Sequence, residues 1–308
     1  MNSAIETHNL VKRYGKVIAV DGLSLRVARG EIYAFLGLNG VGKTTTIRLL
    51  LGMVKPTSGE ARVLGTRIRL GEKKPWGAVG YLVETADAYP ELSVRENLEA
   101  MRRLRPGIKP SAVDHIIERL GLAKYADRRA GALSHGNAQR LGLAKALMHN
   151  PELLILDEPA NGLDPAGIVE IRNLLIELAR EQGVTVFMSS HILGEVSRLA
   201  NRIGIIHQGR LLQELNVDEL ERNRQRRLLV RTRDCQTAHA VLVSAGYSAK
   251  LLPNDLIEVK DDIALERPDE IATRLVNAGH APTMLNTEQE DLEHYFLRLV
   301  GMHEGETE

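Results

Sequence analysis

The sequence has no excess of charge of either sign and almost no cysteine. Lys plus Arg and Asp plus Glu each number 40 among 308 residues, so the formal net charge is +0. This balance argues against a protein built to coat nucleic acid, although a local basic patch remains compatible with it. Cys235 is the single cysteine, so the chain cannot form an internal disulfide, which suits a reducing compartment.

Long apolar runs are also missing. No uninterrupted apolar segment approaches the roughly 20 residues that a membrane-spanning helix needs. Residues 1–8 contain no basic segment followed by an apolar one, so no secretory signal peptide is expected there. If the protein works at a membrane, it must bind something already present in it. The 44% hydrophobic and 26% charged residues instead predict a globular protein with a buried core.

Apolar strands alternate with helices over the first two thirds of the chain. The runs 32–36, 79–83, 153–156 and 184–189 predict strands. Helical spacing predicts helices at 43–52, 94–104, 111–120, 138–149 and 168–181. Such alternation predicts an α/β domain with parallel strands covered on both faces, which we place at residues 1–218.

The character of the sequence changes near residue 218. Residues 221–234 read ERNRQRRLLVRTRD, which we interpret as a charged linker running into an edge strand. Their arginines could contact anionic lipid or nucleic acid, but a solvated surface protected from aggregation by charge is the favoured interpretation. Strands at 228–232, 249–252, 256–260 and 283–286 and helices at 236–245 and 268–279 follow in βαββαβ order, with a last helix at 288–300. This order predicts a small ferredoxin-like α+β domain over residues 219–308.

A phosphate-binding loop follows the strand at 32–36. The pattern GxxxxGK[ST] and the residue after it comprise Gly37, Leu38, Asn39, Gly40, Val41, Gly42, Lys43, Thr44 and Thr45. Glycines allow the backbone to aim its N–H groups at phosphate oxygens, and the following helix adds a partial positive charge. We expect Lys43 to reach the β- and γ-phosphates and Thr44 to bind Mg²⁺. Because no Asn-Lys-x-Asp segment is present, ATP is favoured over GTP.

Four further segments occur in a fixed order after this loop. They are LSHGN at 133–137, LLILDEP at 153–159, NGLD at 161–164 and SSH at 189–191. With the phosphate loop they resemble the signature loop, Walker B strand, D-loop and switch histidine of the ATP-binding cassette (ABC) ATPases. The resemblance covers about residues 4–215. It implies a P-loop NTPase nucleotide-binding domain of the ABC type, a mixed sheet with helices and a helical signature subdomain at about residues 89–131.

The resemblance assigns roles around the bound nucleotide. An apolar strand carries Asp157 to the sheet edge, where its carboxylate can hold Mg²⁺. Glu158 resembles the carboxylate that orients the attacking water. His191 corresponds to the histidine that contacts the γ-phosphate, and Tyr14 to the aromatic residue that stacks on adenine. Glu158, His191 and Lys43 are therefore the expected catalytic residues.

Other assignments involve a facing subunit. In this family the signature loop caps the ATP that is bound by the opposite subunit, so Ser134 and Gly136 are expected to complete a neighbour's site. Asp164 of the D-loop is counted with them among the nucleotide-binding residues. The resemblance therefore implies a second ABC ATPase subunit, identical or paralogous.

Several positions depart from the usual family pattern. Leu38 replaces proline, Asn137 replaces glutamine and His135 replaces glycine. The imidazole of His135 would either lean away from the phosphate or make phosphate binding depend on pH. Glu84 stands where many relatives have the Q-loop glutamine, and its carboxylate could also ligate Mg²⁺. Glutamate there and the segment LEHYFLRL at 292–299 resemble bacterial exporter ATPases of the bacitracin or daunorubicin type.

Taken together, these features predict the ATP-hydrolysing subunit of an ABC exporter. A separate membrane permease would be its partner, and it would lie at the cytoplasmic face of the cell membrane. The alternative is a soluble ABC ATPase acting on ribosomes or nucleic acid. A third interpretation, a regulatory module with a dead site, is disfavoured because the catalytic residues are retained.

Overall fold

The computed structural model describes residues 3–71, 75–84 and 88–301. The chain divides into two compact units, Met1–Val217 and Asp218–Glu308. Within the described ranges, no helix combines the length and apolar character needed to cross a membrane.

The first unit contains ten strands and six helices in its described residues. In chain order they are β1 (Ser3–Tyr14), β2 (Val17–Ala28), β3 (Ile32–Leu36), α1 (Lys43–Leu50), β4 (Ser58–Val63), β5 (Thr66–Arg67), β6 (Val79–Leu82), α2 (Val94–Leu104), α3 (Ser111–Arg119), α4 (His135–Leu147), β7 (Leu153–Leu156), α5 (Pro165–Gln182), β8 (Thr185–Ser190), α6 (Leu193–Val196), β9 (Arg202–His207) and β10 (Arg210–Asn216).

Two sheets organise these strands. A four-stranded antiparallel sheet has the order β2-β1-β4-β5, and a six-stranded sheet has the order β10-β9-β3-β8-β7-β6. In the second sheet β9, β3, β8, β7 and β6 run parallel, and β10 pairs antiparallel with β9. The predicted α/β sheet with parallel strands is therefore confirmed.

The parallel strands explain where the functional motifs meet. Every residue of β3, β7 and β8 is buried, as expected for parallel strands covered on both faces. Phe187 of β8 packs against Tyr33 and Phe35 of β3 with ring centroids 5.6 Å apart in each case. Because neighbouring parallel strands end at the same edge, the phosphate loop after β3, Asp157 after β7 and His191 after β8 converge there.

The signature segment forms its helix earlier than the sequence suggested. We placed the helix at 138–149, but α4 begins at His135. The hydroxyl of Ser134 accepts a hydrogen bond from the Asn137 backbone N–H at 3.4 Å, which makes Ser134 the N-cap. The segment HGN therefore belongs to the first helical turn, because the cap compensates for the poor helix propensity of glycine and asparagine.

The second unit has the predicted βαββαβ order. Its elements are α7 (Val217–Asn223), which begins at the boundary, then β11 (Arg226–Arg231), α8 (Cys235–Ser244), β12 (Ala249–Leu252), β13 (Leu256–Val259), α9 (Asp262–Glu266), α10 (Pro268–Asn277), β14 (Met284–Gln289) and α11 (Leu292–Val300). The four strands form one antiparallel sheet in the order β12-β13-β11-β14. This is the ferredoxin-like arrangement.

Two predictions within this unit were wrong. The charged stretch is not a linker into an edge strand: residues 217–223 form α7, and β11 lies between β13 and β14. Leu228 and Val230 bury one face of β11 in the core, and Arg227 pairs with Glu258 and Glu288. The last helix begins at Leu292 and not at 288, since residues 284–289 pair with β11.

His149, which follows α4, carries a pH dependence of stability. Its Nε2 lies 3.1 Å from the Val79 carbonyl oxygen at the start of β6, and in the part of the chain described its buried Nδ1 has no hydrogen-bond partner. Burial, reinforced by the positive charge of Arg105 and opposed by the bond to Val79, lowers the pKa of His149 from 6.5 to about 4. The folded protein therefore keeps this imidazole neutral.

We expect the free energy of unfolding to fall as the pH drops from about 6.5 to 4. In that window the unfolded chain binds a proton at His149 that the folded chain does not, which costs on the order of 1–2 kcal/mol once solvent screening of this partly exposed ring is taken into account. Urea unfolding at stepped pH measures the effect. His149→Gln should flatten this part of the profile, whereas His115→Gln, at an exposed position of α3, should leave it unchanged. Parallel profiles for the wild type and His149→Gln would contradict this explanation.

Candidate functional site

The phosphate loop is closely packed against the first sheet. Gly42 has a φ of 108°, and a Cβ there would lie 2.1 Å from the carbonyl oxygen of Ala19. Only glycine fits such a position. Lys43 begins α1 and is only 6% exposed, and its Nζ donates to the carbonyl oxygens of Gly37 at 2.6 Å and Leu38 at 3.1 Å. The ammonium therefore lies folded into its own loop.

A hydroxyl and a carboxylate meet beside this loop. The Thr44 hydroxyl donates to Oδ2 of Asp157 at 2.8 Å, and the Ser189 hydroxyl donates to Oδ1 of the same carboxylate at 2.5 Å. Asp157 is 2% exposed, so β7 and β8 hold it rigidly. Hydroxyl and carboxylate oxygens are the ligands that Mg²⁺ prefers. The donor set of Thr44 and Asp157 fits the predicted ion.

Glu158 has a strained backbone and a fixed side chain. Its φ of 49° is unusual for a residue with a side chain. Its N–H donates to the Ser189 hydroxyl at 2.9 Å, and its carbonyl oxygen accepts from Gln139 Nε2 at 3.1 Å. These two bonds, from β8 and from α4, hold the conformation that turns the carboxylate towards the phosphate loop.

The Glu158 carboxylate lies between two basic side chains. Oε2 lies 2.8 Å from His191 Nδ1, and Oε1 lies 3.3 Å from Lys43 Nζ. Glu195 lines the same cavity as Glu158 and His191, with a volume of about 180 Å³, and burial raises the pKa of Glu195. The three predicted catalytic residues, Lys43, Glu158 and His191, are thus brought into direct contact.

Glu84 has a different partner from the one expected for a metal ligand. Its φ is 58°, and its Oε1 accepts from Arg48 Nη2 at 2.6 Å. The side chain is 55% exposed. Thr44 and Asp157 bond to each other, while Glu84 pairs with Arg48 on α1. A role for Glu84 in metal binding stays a prediction.

Four other predicted nucleotide-binding residues, Tyr14, Ser134, Gly136 and Asp164, contact residues outside this cluster. Tyr14 ends β1 with its ring 46% exposed, and Lys12 Nζ lies 4.8 Å from the ring centroid. Asp164 caps α5 by accepting from the Gly167 N–H at 3.0 Å. Ser134, Gly136 and Asp164 line a separate open cavity of about 900 Å³ whose walls do not include Lys43.

Sequence reasoning missed two side chains that hold the site together. Ser189 was seen only as part of the SSH motif, and Gln139 only as part of the signature helix. Ser189 bonds to both Asp157 and Glu158, and Gln139 fixes the Glu158 carbonyl. A buried serine at the end of a strand is the available signal, but its partners depend on which strands are neighbours, and the sequence does not specify that.

We expect Ser189→Ala to lower ATP turnover about tenfold with little change in ATP affinity. The change leaves Asp157 Oδ1 and the Glu158 N–H without their partner, and each buried unpaired group costs about 1–3 kcal/mol. Steady-state ATPase kinetics of the purified chain measure it. Ser190→Ala is the matched control, because the Ser190 hydroxyl bonds only to the backbone of Ile192 within the described residues. Equal kinetics for the two variants would argue against this role.

The chain is similar to known transport ATPases over nearly its whole length. The family model described as ABC transporter matches residues 20–161. The chain is 39% identical to the bacitracin transport ATP-binding protein BcrA of Bacillus licheniformis, with 98% of each chain covered. It is 36% identical to the lantibiotic transport ATP-binding protein SrtF of Streptococcus pyogenes. That match covers 70% of this chain and 93% of SrtF.

Solved cassettes share the fold of the first unit. One is the dimeric ATP-binding cassette MJ0796 in a post-hydrolysis state bound to ADP and Pi. Its structure matches with a TM-score of 0.64 at 23% identity, and the match covers 69% of this chain and 98% of MJ0796. The predicted P-loop NTPase fold of the ABC type is thus confirmed. The chain belongs to the ABC transporter family and is one of its ATP-binding, ATP-hydrolysing subunits.

Proposed function

We propose that this chain powers an exporter of antimicrobial peptides of the bacitracin or lantibiotic kind, acting from the cytoplasmic face of the membrane on a separate permease. The observation that carries the proposal is the extent of the similarity to BcrA. It spans 98% of both chains and therefore includes the second unit, whereas the match to SrtF covers 70% of this chain. A bacitracin-like peptide is accordingly favoured as the transported class.

The contacts of Lys43 and Glu158 support a hydrolytic mechanism. Lys43 Nζ now bonds to two loop carbonyl oxygens, and phosphate oxygens of ATP would replace them as stronger, charge-assisted acceptors. Apart from its ion pair with Lys43 at 3.3 Å, the buried Oε1 of Glu158 makes no hydrogen bond within the described part of the chain. A water bound at Oε1 would be oriented and polarised for attack on the γ-phosphate, with its proton passing to the carboxylate.

His191 would hold Glu158 in place during this step. Its Nδ1 already contacts Oε2 of Glu158, which leaves Nε2 of the exposed ring for the γ-phosphate. Thr44 and Asp157 would hold Mg²⁺, which neutralises charge developing on the phosphate oxygens when bound. Tyr14 would stack on adenine, since its ring is exposed at the end of β1.

A second ATPase subunit would complete each site. Ser134 and Gly136 line an open cavity instead of contacting Lys43, as expected if they cap ATP bound by a facing subunit. The N-terminal end of α4 starts at His135 and would direct its partial positive charge at that γ-phosphate. The same arrangement explains why Asp164, at the start of α5, lines this cavity and not the Lys43 site.

The permease would dock on an apolar surface of the helical region. Met53, Tyr81, Tyr89 and Leu104 are 44%, 39%, 60% and 75% exposed. They line two cavities of about 350 and 320 Å³ that share Met101 and Lys145, and Glu84 also lines the second. Exposed apolar patches of this kind mark protein–protein contacts. Nucleotide binding near Glu84 would thereby be transmitted to the permease.

Deleting the gene for this chain in its native cell tests the proposed substrate. We expect the minimum inhibitory concentration of bacitracin or of a lantibiotic to fall at least fourfold, while that of a ribosome-directed antibiotic stays constant. Complementation with the wild-type chain should restore resistance, and complementation with Glu158→Gln should not. Altered translation or ribosome-directed sensitivity with unchanged peptide resistance would favour the alternative, an ABC ATPase that acts on ribosomes.

A further inference from the structure

The side chain that departs most from the family pattern, His135, lies on the D-loop of its own chain. A Cβ built on Gly162 would lie 1.8 Å from Cδ2 of His135, 2.7 Å from Nε2 and 2.9 Å from Cγ. His135 is an exposed residue, and its imidazole occupies the space that a Cβ at position 162 would take, so the ring would have to rotate aside to admit a side chain there. The ring leans onto Gly162 of its own chain, and a pH dependence of phosphate binding through His135 stays a prediction.

This contact is part of a continuous junction between α4 and the segment 158–164. A Cβ on Gly136 would lie 3.1 Å from the Gly162 carbonyl oxygen and 3.4 Å from Cδ2 of Leu163. One turn further along α4, Gln139 Nε2 donates to the Glu158 carbonyl oxygen at 3.1 Å. The first turns of α4 thus contact both ends of the segment that carries Glu158.

We propose that His135 is a positioning residue: its imidazole, packed on Gly162, restrains the D-loop and, together with the bonds from Ser189 and Gln139, the carboxylate of Glu158. The inference rests on the proposed function, because it assigns Glu158 to hydrolysis in one site and the signature loop to the site opposite. In that arrangement the side chain of His135 connects two parts of one subunit. One is the signature loop, which caps the ATP of the neighbouring subunit, and the other is the segment whose Glu158 activates water at the subunit's own ATP.

The geometry makes a reciprocal test possible. Gly162 has a φ of 74°, so alanine there is strained whatever its surroundings. Alanine additionally overlaps the imidazole, and His135→Gly removes that overlap but not the strain. Gly65 is a matched control, because it has a φ of 78° and a Cβ there would meet nothing within 4 Å.

The experiment is a double-mutant cycle of His135→Gly and Gly162→Ala in the full chain, with kcat, KM for ATP and melting temperature measured for each protein. We expect Gly162→Ala to lower kcat at least tenfold with KM changed less than twofold. His135→Gly should lower kcat only a few-fold. The double variant should recover at least fivefold in kcat over Gly162→Ala, and Gly65→Ala should keep wild-type kcat.

Two results would overturn the proposal. One is that Gly162→Ala and the double variant have the same kcat. The other is recovery of the melting temperature in the double variant without recovery of kcat, since the contact would then be only structural. Failure of the proposed function is distinguishable, because it would appear as unchanged peptide resistance in the deletion strain or as wild-type ATP turnover in Glu158→Gln, while the melting-temperature cycle would still report the contact.

Discussion

Replacing Glu158 by Gln is expected to lower ATP turnover by about 10²- to 10⁴-fold, the usual contribution of a positioned general base. The amide keeps the shape of the side chain and can still lie beside Lys43 and His191, at 3.3 and 2.8 Å from the present carboxylate oxygens. It cannot accept the proton of the attacking water. ATP binding should therefore persist, and the variant should accumulate as an ATP-bound dimer.

Three measurements test these expectations. Steady-state ATPase rates give the turnover, equilibrium binding of a fluorescent ATP analogue gives the affinity, and size-exclusion chromatography with ATP detects the dimer. Glu152→Gln is the matched control, because Glu152 makes a surface ion pair with Arg29 at 2.7 Å and its side chain is 58% exposed. A Glu158→Gln variant that turns over ATP at the wild-type rate would remove Glu158 from the proposed role.

Lys43→Met is expected to weaken ATP binding by about two orders of magnitude. The ammonium is 6% exposed, and charge-assisted hydrogen bonds to phosphate contribute about 1.5–3 kcal/mol each. Two such bonds, at the positions now taken by the Gly37 and Leu38 carbonyl oxygens, account for about a hundredfold in affinity. Methionine keeps an unbranched apolar side chain, one atom shorter than lysine, but offers no donor.

Isothermal titration of the purified variant with ATP and Mg²⁺ measures this loss. Lys109→Met, at an exposed position in the loop before α3, should bind ATP as the wild type does. Circular dichroism confirms that both variants are folded. If Lys43→Met kept wild-type affinity while folded, the loop would bind nucleotide through its backbone alone, and the assignment of Lys43 to the phosphates would fail.

The motifs of the first unit were predictable because each one combines a strand end with chemically necessary residues. The φ of 108° at position 42 requires glycine. The wholly apolar run LLIL predicts β7 directly before Asp157. The convergence of Lys43, Asp157 and His191 follows from parallel strands that end at one edge. The strand-end and glycine signals are local, whereas the convergence also requires β3, β8 and β7 to be neighbours in one sheet.

Some features of the fold and of the site could not be predicted, because they depend on contacts that the sequence pattern does not specify. Ser189 gains its importance from lying beside Asp157 and Glu158, 32 and 31 residues away. The start of α4 was misplaced because Ser134 acts as a cap, and the central place of β11 depends on strand pairing with β13 and β14. A strand at 228–232 was predicted, but its flanking arginines suggested an edge position, whereas Leu228 and Val230 bury one face of β11 in the core.

The most direct test of the central claim is to find what the chain binds in its own cell. We would tag it, solubilise the membranes in mild detergent and quantify the proteins that co-purify with the wild type and with Glu158→Gln in the presence of ATP. The account predicts a stoichiometric partner with several membrane-spanning helices, and ATPase activity in that complex only for the wild type. Recovery solely with ribosomes or nucleic acid, without a membrane partner, would contradict it.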